Sequence, residues 1–233
     1  GYALARQAGH TVRPPVPSLV SLVAQGGECR RMMGLALKNV GLTLYQDGKS
    51  IFQEQGEALF THFGLSGPLV LSASAHLGDL AKHRYEVGFD LKPALSHEQL
   101  YARLNRDLTA LANRDAANCL VKLLPASMQP VMVERWGVDP AKKANQLTKE
   151  ERLALVDLMK DFRIRIRDRG DLEHAVITSG GVAVKEVDPR TMASKKCPGL
   201  YFAGEVLDVD AYTGGYNLQI AWSTAQAAAR GLA

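Results

Sequence analysis

The chain has 233 residues, of which 46% are apolar, 22% charged and 6% aromatic. Apolar residues run from end to end, which excludes a low-complexity disordered chain, and none of the apolar runs reaches the roughly eighteen residues of a membrane-spanning helix. Lys and Arg number 28 against 24 Asp and Glu, a formal charge of +4, too small an excess to argue for nucleic acid by itself. Cys29, Cys119 and Cys197 lie far apart with no CxxC pair, so neither a zinc site nor a disulfide framework is expected, and a reducing cytoplasm fits. No basic segment leads into an apolar one at the start, so no signal peptide is expected.

Gly1 to His10 reads as the second half of a helix: Ala3, Leu4 and Ala8 recur at helical spacing, and Gly9 stands where a left-handed cap belongs. A domain rarely opens inside a helix, so further residues are expected before Gly1. Pro14, Pro15 and Pro17 then forbid helix. Residues 18 to 62 read as strands, with Leu35 to Tyr45 and Ser50 to Gln55 flanking the hairpin signal Asp47-Gly48. Ser66-Gly67-Pro68 starts a helix, and residues 84 to 91 alternate as a strand.

From Ser96 to Phe162 the pattern is helical, with capping-box spacings at Ser96/Gln99 and Thr148/Glu151. Leu153, Leu155, Val156, Leu158 and Met159 are placed on one helix face. Pro125, Pro130 and Pro140 divide the block. Strands return at Phe162, where Ile164 and Ile166 alternate with Arg163, Arg165 and Arg167. Period two puts the arginines on one face, either as an anion or nucleic-acid stripe or as the solvated side of a half-buried strand. Residues 175–178 run through Gly180-Gly181 into an extended 182–187 segment. Gly199 to Gly204 suits a buried strand, and a helix from Tyr216 to about Arg230, rich in Ala and poor in charge, is expected to be mostly buried. The last block therefore reads as half of an open α/β sheet.

Chemistry is thinly signalled. No GxSxG, P-loop or GxGxxG occurs, and the six histidines show no HxxxH spacing. No metal site is expected. What stands out are three elements within some forty residues: Thr178-Ser-Gly-Gly-Val182, Ala203-Gly-Glu-Val-Leu-Asp208 and Thr213-Gly-Gly-Tyr-Asn-Leu-Gln219. Glycines permit close backbone approach to a flat or phosphorylated ligand, and Glu205 can accept hydrogen bonds from a polyol. The third element opens a helix, whose free N–H groups favour an electron-rich atom such as a flavin pyrimidine carbonyl.

The run from Gly199 to Gln219 closely resembles the signature of the YhiN/BaiN-like, HI0933-like family of bacterial FAD-dependent oxidoreductases. Ile177 to Val182, Gly56 to Pro68, and Gly9 to Val12 with Pro17 to Val20 resemble further blocks of it. The resemblance implies an α/β plus α+β fold: the C-terminal part of a Rossmann-like FAD-binding domain with an inserted β-barrel and helical substrate domain. Residues 1–14 would be a remnant of the FAD-binding domain, 15–172 the insertion (β-rich 15–95, helical 96–162), and 173–233 the C-terminal part.

By the same resemblance, Gly204 and Glu205 would lie along the ribityl and pyrophosphate, and Gly180 and Gly181 near the ring system. Gly214, Gly215, Tyr216, Asn217 and Leu218 would place backbone N–H groups at the pyrimidine edge; Thr213 is a further cofactor contact, and Asp208 belongs to the signature without a clear role. Replacing Asn217 by Asp would set a carboxylate against the electron-rich edge and weaken flavin binding or lower the flavin's reduction potential. Three departures stand out: the family's N-terminal GxGxxG unit is absent from these residues, and Ala211 and Ala225 replace usual glycines.

Catalysis is assigned to no residue; His62, in a family-like block and of suitable titration range, is the one candidate for proton handling. The expected activity is hydride transfer through FAD to or from a small organic substrate, with NAD(P)H as a further donor or acceptor. The alternative is a non-catalytic fragment or a binding module without flavin, serving as a substrate domain or meeting RNA or an acidic partner through the arginine stripe; a nucleic-acid partner is the less expected.

Overall fold

The computed structural model describes residues 1–232; the 173–233 segment ends on Ala233, outside the described residues. In chain order the elements are α1 (Tyr2–Gln7), β1 (Val12–Ser18), β2 (Leu22–Ala24), α2 (Glu28–Arg31), β3 (Ala36–Gln46), β4 (Lys49–Phe60) and β5 (Gly64–Ser66). There follow α3 (Pro68–Ser74), β6 (Tyr85–Asp90), α4 (His97–Ala110), α5 (Gln129–Trp136), α6 (Lys149–Lys160), β7 (Phe162–Arg169), β8 (Ile177–Val182) and α7 (Tyr216–Leu232). They divide into two compact units, Gly1–Ser21 with Gly170–Ala233, and Leu22–Arg169.

The Leu22–Arg169 unit is a closed six-stranded barrel in the order β2-β5-β4-β3-β6-β7. Alternation sends Leu42 and Leu44 of β3, Val87 and Phe89 of β6, and Phe162 and Ile164 of β7 inward, all 1% exposed or less. Phe60 and Phe89 meet with ring centroids 5.7 Å apart, and each such buried side chain stabilises the fold by roughly 1.5–3 kcal/mol. The hairpin forms at Asp47-Gly48, both with positive φ (51° and 81°). Between β2 and β3 the strand reading fails: α2 intervenes after Gly26, whose φ is +90°.

The helices cover this barrel's apolar side. Leu100, Leu104 and Leu108 of α4, Val131 and Met132 of α5, and Leu155, Val156 and Met159 of α6 join the same core as the strands. Both capping boxes form, with the Ser96 and Thr148 side chains each accepting from the backbone N–H three residues on. Leu153 leaves the expected α6 face and is 39% exposed, since at 100° per residue it falls off the stripe of Leu155, Val156 and Met159.

On β7 the arginines do share one face, and neighbouring acids engage two of them. Arg163 Nε lies 2.7 Å from Asp161 and its guanidinium stacks over Tyr45, 4.0 Å from the ring centroid. Arg165 Nε lies 3.2 Å from Glu86, its cross-strand partner.

In the other unit β1 pairs antiparallel with β8. Gly9 caps α1 with φ +82°. Three expectations change there. Residues 199–204 form no strand: Tyr201 makes a single antiparallel bridge to Ala193, because the segment is turned at Gly199 and Gly204 (φ +80° and +73°) and has a ladder neighbour on one side only. The 182–187 segment bends into a 3-10 turn at Val184–Glu186, which brings the Glu186 carboxylate to the backbone and hydroxyl of Thr11. Parallel pairing is limited to the Val182–Leu207 bridge among the described residues. Finally, α7 has no buried residue; the Gly204–Val206 turn covers one narrow stripe, where the Gly204 N–H donates to Thr224 Oγ1 at 2.9 Å.

Candidate functional site

The signature residues gather around one cavity of about 360 Å³ in the Gly1–Ser21/Gly170–Ala233 unit. Leu19, Val176, Ile177, Val209, Ile220 and Ala221 supply apolar walls, Glu205 and Tyr212 polar ones, and Thr213, Gly214, Gly215, Asn217 and Leu218 close it at the start of α7. Six of the eleven residues singled out by sequence therefore line it. Gly180, Gly181, Gly204, Asp208 and Tyr216 do not.

Local chemistry explains how the α7 end is built. Gly214 and Gly215 have φ of +113° and +89°, a region side chains disfavour. A Cβ on Gly215 would meet no atom within 4 Å, so its surroundings are open. The Gln219 N–H closes the helix's first turn on Gly215 O at 3.0 Å. The N–H groups before it have no carbonyl one turn back within the helix. Helices usually cover such donors with a Ser, Thr, Asp or Asn side chain at the capping position; Gly215 stands there and has none. The aligned peptide dipoles add partial positive charge at the same place.

Asn217, in that first turn, turns its carboxamide away from its own helix. Its Oδ1 accepts from the Ala211 N–H at 2.9 Å, and its Nδ2 donates to the Ala211 carbonyl at 2.8 Å. Glu205 Oε1 accepts from both the backbone N–H (2.6 Å) and the hydroxyl (3.1 Å) of Thr178. Its carboxylate thus ties the start of β8 to the turn after Ala203.

The remaining predicted residues have other surroundings. A Cβ on Gly181 would come within 2.5 Å of the Val206 carbonyl, and one on Gly180 within 2.5 Å of the Pro14 carbonyl. Both glycines let backbone segments cross at close range. Asp208 pairs with Arg13 at 2.7 Å. Tyr216 is 62% exposed. His62 lies in the barrel unit, exposed, edge-on to the Phe63 ring at 4.9 Å.

Sequence reasoning missed Leu19, Val176, Tyr212 and Ile220 as cavity walls. Among these four, Leu19 is a buried leucine with a φ of +51°, which nothing in the sequence marks. It also missed Asp210, which accepts from Ser18 and Ser179 and so bridges β1 and β8 (3.2 and 3.3 Å). Glu186 went unnoticed as well: it receives Lys196 Nζ at 2.8 Å besides both groups of Thr11, and these hold its carboxyl well down, at about 2.

The arrangement can hold a flat, largely apolar group that presents an electron-rich edge to N–H donors. The isoalloxazine part of a flavin has that chemistry, and the donor set and apolar walls fit it.

Residues 16–177 match the family described as HI0933-like protein barrel and H2TH domain. Along its whole length the chain is 34% identical to a ribosomal RNA dihydrouridine synthase of Escherichia coli, covering 56% of that protein. It is 32% identical, again over its whole length, to a 3-dehydro-bile acid delta(4,6)-reductase of Clostridium scindens, covering 57%. A ribosomal RNA dihydrouridine synthase of Haemophilus influenzae is 33% identical over 98% of the chain and 54% of that protein. The chain spans a little over half the length of these curated relatives.

Proposed function

The chain belongs to the HI0933-like family, and from that premise we propose that it is part of a FAD-dependent oxidoreductase that moves a hydride between flavin and an unsaturated organic substrate. In this reading the unit of Gly1–Ser21 and Gly170–Ala233 belongs to a Rossmann-like FAD-binding domain, and the Leu22–Arg169 unit is the inserted substrate domain. The observation that carries it is the apolar cavity closed by the glycine-led first turn of α7.

FAD, when bound, supplies the two-electron chemistry; the protein supplies position and field. Leu19, Val176, Ile177, Val209 and Ile220 would exclude water from the ring's surroundings. The N–H groups from Gly214 to Leu218 would face the pyrimidine edge, where donors favour the electron-rich form. Glu205, held by Thr178, would receive a ribityl hydroxyl.

The relatives' names suggest the direction. One is named a reductase and two are named dihydrouridine synthases, and net addition of hydrogen to a carbon–carbon double bond fits all three names. NAD(P)H is the electron donor that fits such a reduction. The arginine face of β7 gives little support to the alternative of a flavin-free binding module, because Asp161 and Glu86 already engage Arg163 and Arg165.

The test is a visible spectrum of the full-length protein after gel filtration, then anaerobic addition of NADPH or NADH. A retained flavin band that bleaches, and returns on adding an unsaturated ketone or uridine-containing RNA, is expected. A protein that elutes without flavin and takes none up would overturn the reading.

A further inference from the structure

We infer that Asn217 is a positioning residue: its carboxamide pins the loop Ala211–Gly215 so that the donors at the start of α7 stay uncovered and aimed at the cavity. The inference rests on the flavin reading for the identity of the ligand, and on geometry for the pin itself.

Three observations meet here. Both hydrogen-bonding groups of Ala211 are matched by one side chain, Oδ1 to its N–H at 2.9 Å and Nδ2 to its carbonyl at 2.8 Å, as two paired backbone amides would match. Nδ2 also lies 3.4 Å from the Tyr212 carbonyl. The pinned loop contains Thr213, Gly214 and Gly215, which line the cavity, and two of these are glycines at positive φ. Such a loop has no intrinsic preference for one shape. Asparagine in the first turn would ordinarily be free to accept from nearby backbone N–H groups; by reaching back to Ala211 it leaves the α7 donors to a ligand.

Only a group that both donates and accepts can make this pair. An aspartate at 217 keeps the acceptor for the Ala211 N–H but sets a negative oxygen against the Ala211 carbonyl. A protonated aspartic acid restores donor and acceptor together. The loop thus predicts a pH-dependent rescue that a residue important only for packing would not show.

The experiment uses full-length wild-type, Asn217→Asp and Asn217→Ala proteins, titrated with FAD and followed by flavin fluorescence between about pH 3.5 and 8.5. Glu205 lines the same cavity and is present in all three, so titration common to them is divided out. Asn217→Ala should bind roughly three- to tenfold more weakly at every pH, the loss of about one hydrogen bond. Asn217→Asp should be at least as weak at pH 8 and recover toward wild type only as the pH falls to about 4, the ordinary Asp range. Wild-type affinity of Asn217→Asp at pH 8, or a pH-independent ratio to wild type, would overturn the inference.

Hydrogen exchange of the flavin-free proteins at one pH, in the peptide spanning 209–218, reads the pin without the cofactor. Faster exchange in Asn217→Ala supports it, and unchanged exchange overturns it. A wild-type protein that takes up no FAD yet shows faster exchange in Asn217→Ala would sink the flavin reading and leave the pin standing.

Discussion

Glu186 shows how one side chain serves several segments. Its carboxylate accepts from the backbone and hydroxyl of Thr11 and from Lys196, and its Oε2 lies 3.2 Å from His10 Nδ1. The His10 Nε2 lies 2.7 Å from Ser194 Oγ, which also accepts from the backbone N–H groups of Lys196 and Cys197. With both hydroxyl lone pairs engaged, Ser194 has its proton for His10 Nε2, while the buried His10 Nδ1 has no hydrogen-bond partner among the described residues despite its proximity to Glu186. The series resembles a nucleophile–base pair, but a serine oxygen already accepting twice is a structural hydroxyl. The Lys196 ammonium, then the Thr11 amide, hold the Glu186 carboxyl at about 2. A depressed carboxyl contributes stability above its unfolded value, near 4.3, and loses it as the pH falls through about 2. Glu186→Gln should therefore be less stable than wild type at pH 7, with the gap shrinking below about pH 4.5 and closing near pH 2. Denaturant unfolding at pH 7, 4 and 2.5 measures this; a gap of constant size would contradict it.

At the scale of elements, α6 carries a more loaded cap than α4. In both, the capping hydroxyl and the residue three positions on exchange hydrogen bonds. In α6 the reciprocating residue is Glu151, whose carboxylate also receives Lys142 Nζ at 2.6 Å, and whose carbonyl accepts from Trp136 Nε1 at 2.7 Å. The Lys142 ammonium and the Thr148 amide together depress the Glu151 carboxyl. The cap therefore fixes the α6 start and the neighbouring α5 end at once. Thr148→Ala should cost about 1–2 kcal/mol and Ser96→Ala about 1 kcal/mol. Thermal unfolding of both variants ranks them, and an equal or reversed order would show that Lys142 and Trp136 add nothing through this cap. At α7 a glycine, Gly215, stands in the capping position instead, and it offers the first-turn donors no side chain.

For the molecule as a whole, the chain leaves the first unit at Ser21 and returns at Gly170, where the Gly170 N–H donates to the Ser21 carbonyl at 2.8 Å. The barrel unit is continuous in sequence and has its own core. The exposed residues Asp171 to His174 follow the return. A Glu-specific protease acting on the native protein should cut at Glu173 early and leave the Leu22–Arg169 barrel intact. Hydrogen exchange before and after the cut is the check; rapid exchange of the β3, β6 and β7 peptides in the nicked protein would show that the barrel depends on the uncut chain.

Much of this was already written in local pattern. The Asp47-Gly48 hairpin, both capping boxes, the Gly9 cap and the alternation of β7 each depend on residues a few positions apart, and each formed where the sequence placed it. The six glycine-rich and flanking residues that line the cavity were legible for the same reason. Other features depend on residues far apart in the chain. Closure of the barrel joins β2 to β7, across nearly 150 residues. Glycine at 180 and 181 is required by backbone carbonyls of Pro14 and Val206, which no local motif announces. The 199–204 segment had the apolar run of a strand, but a ladder needs neighbours on its edges, and here one bridge was available. An asparagine in a first turn is read from sequence as a ligand contact; that its amide instead closes on Ala211 follows only from where the folded loop puts that backbone.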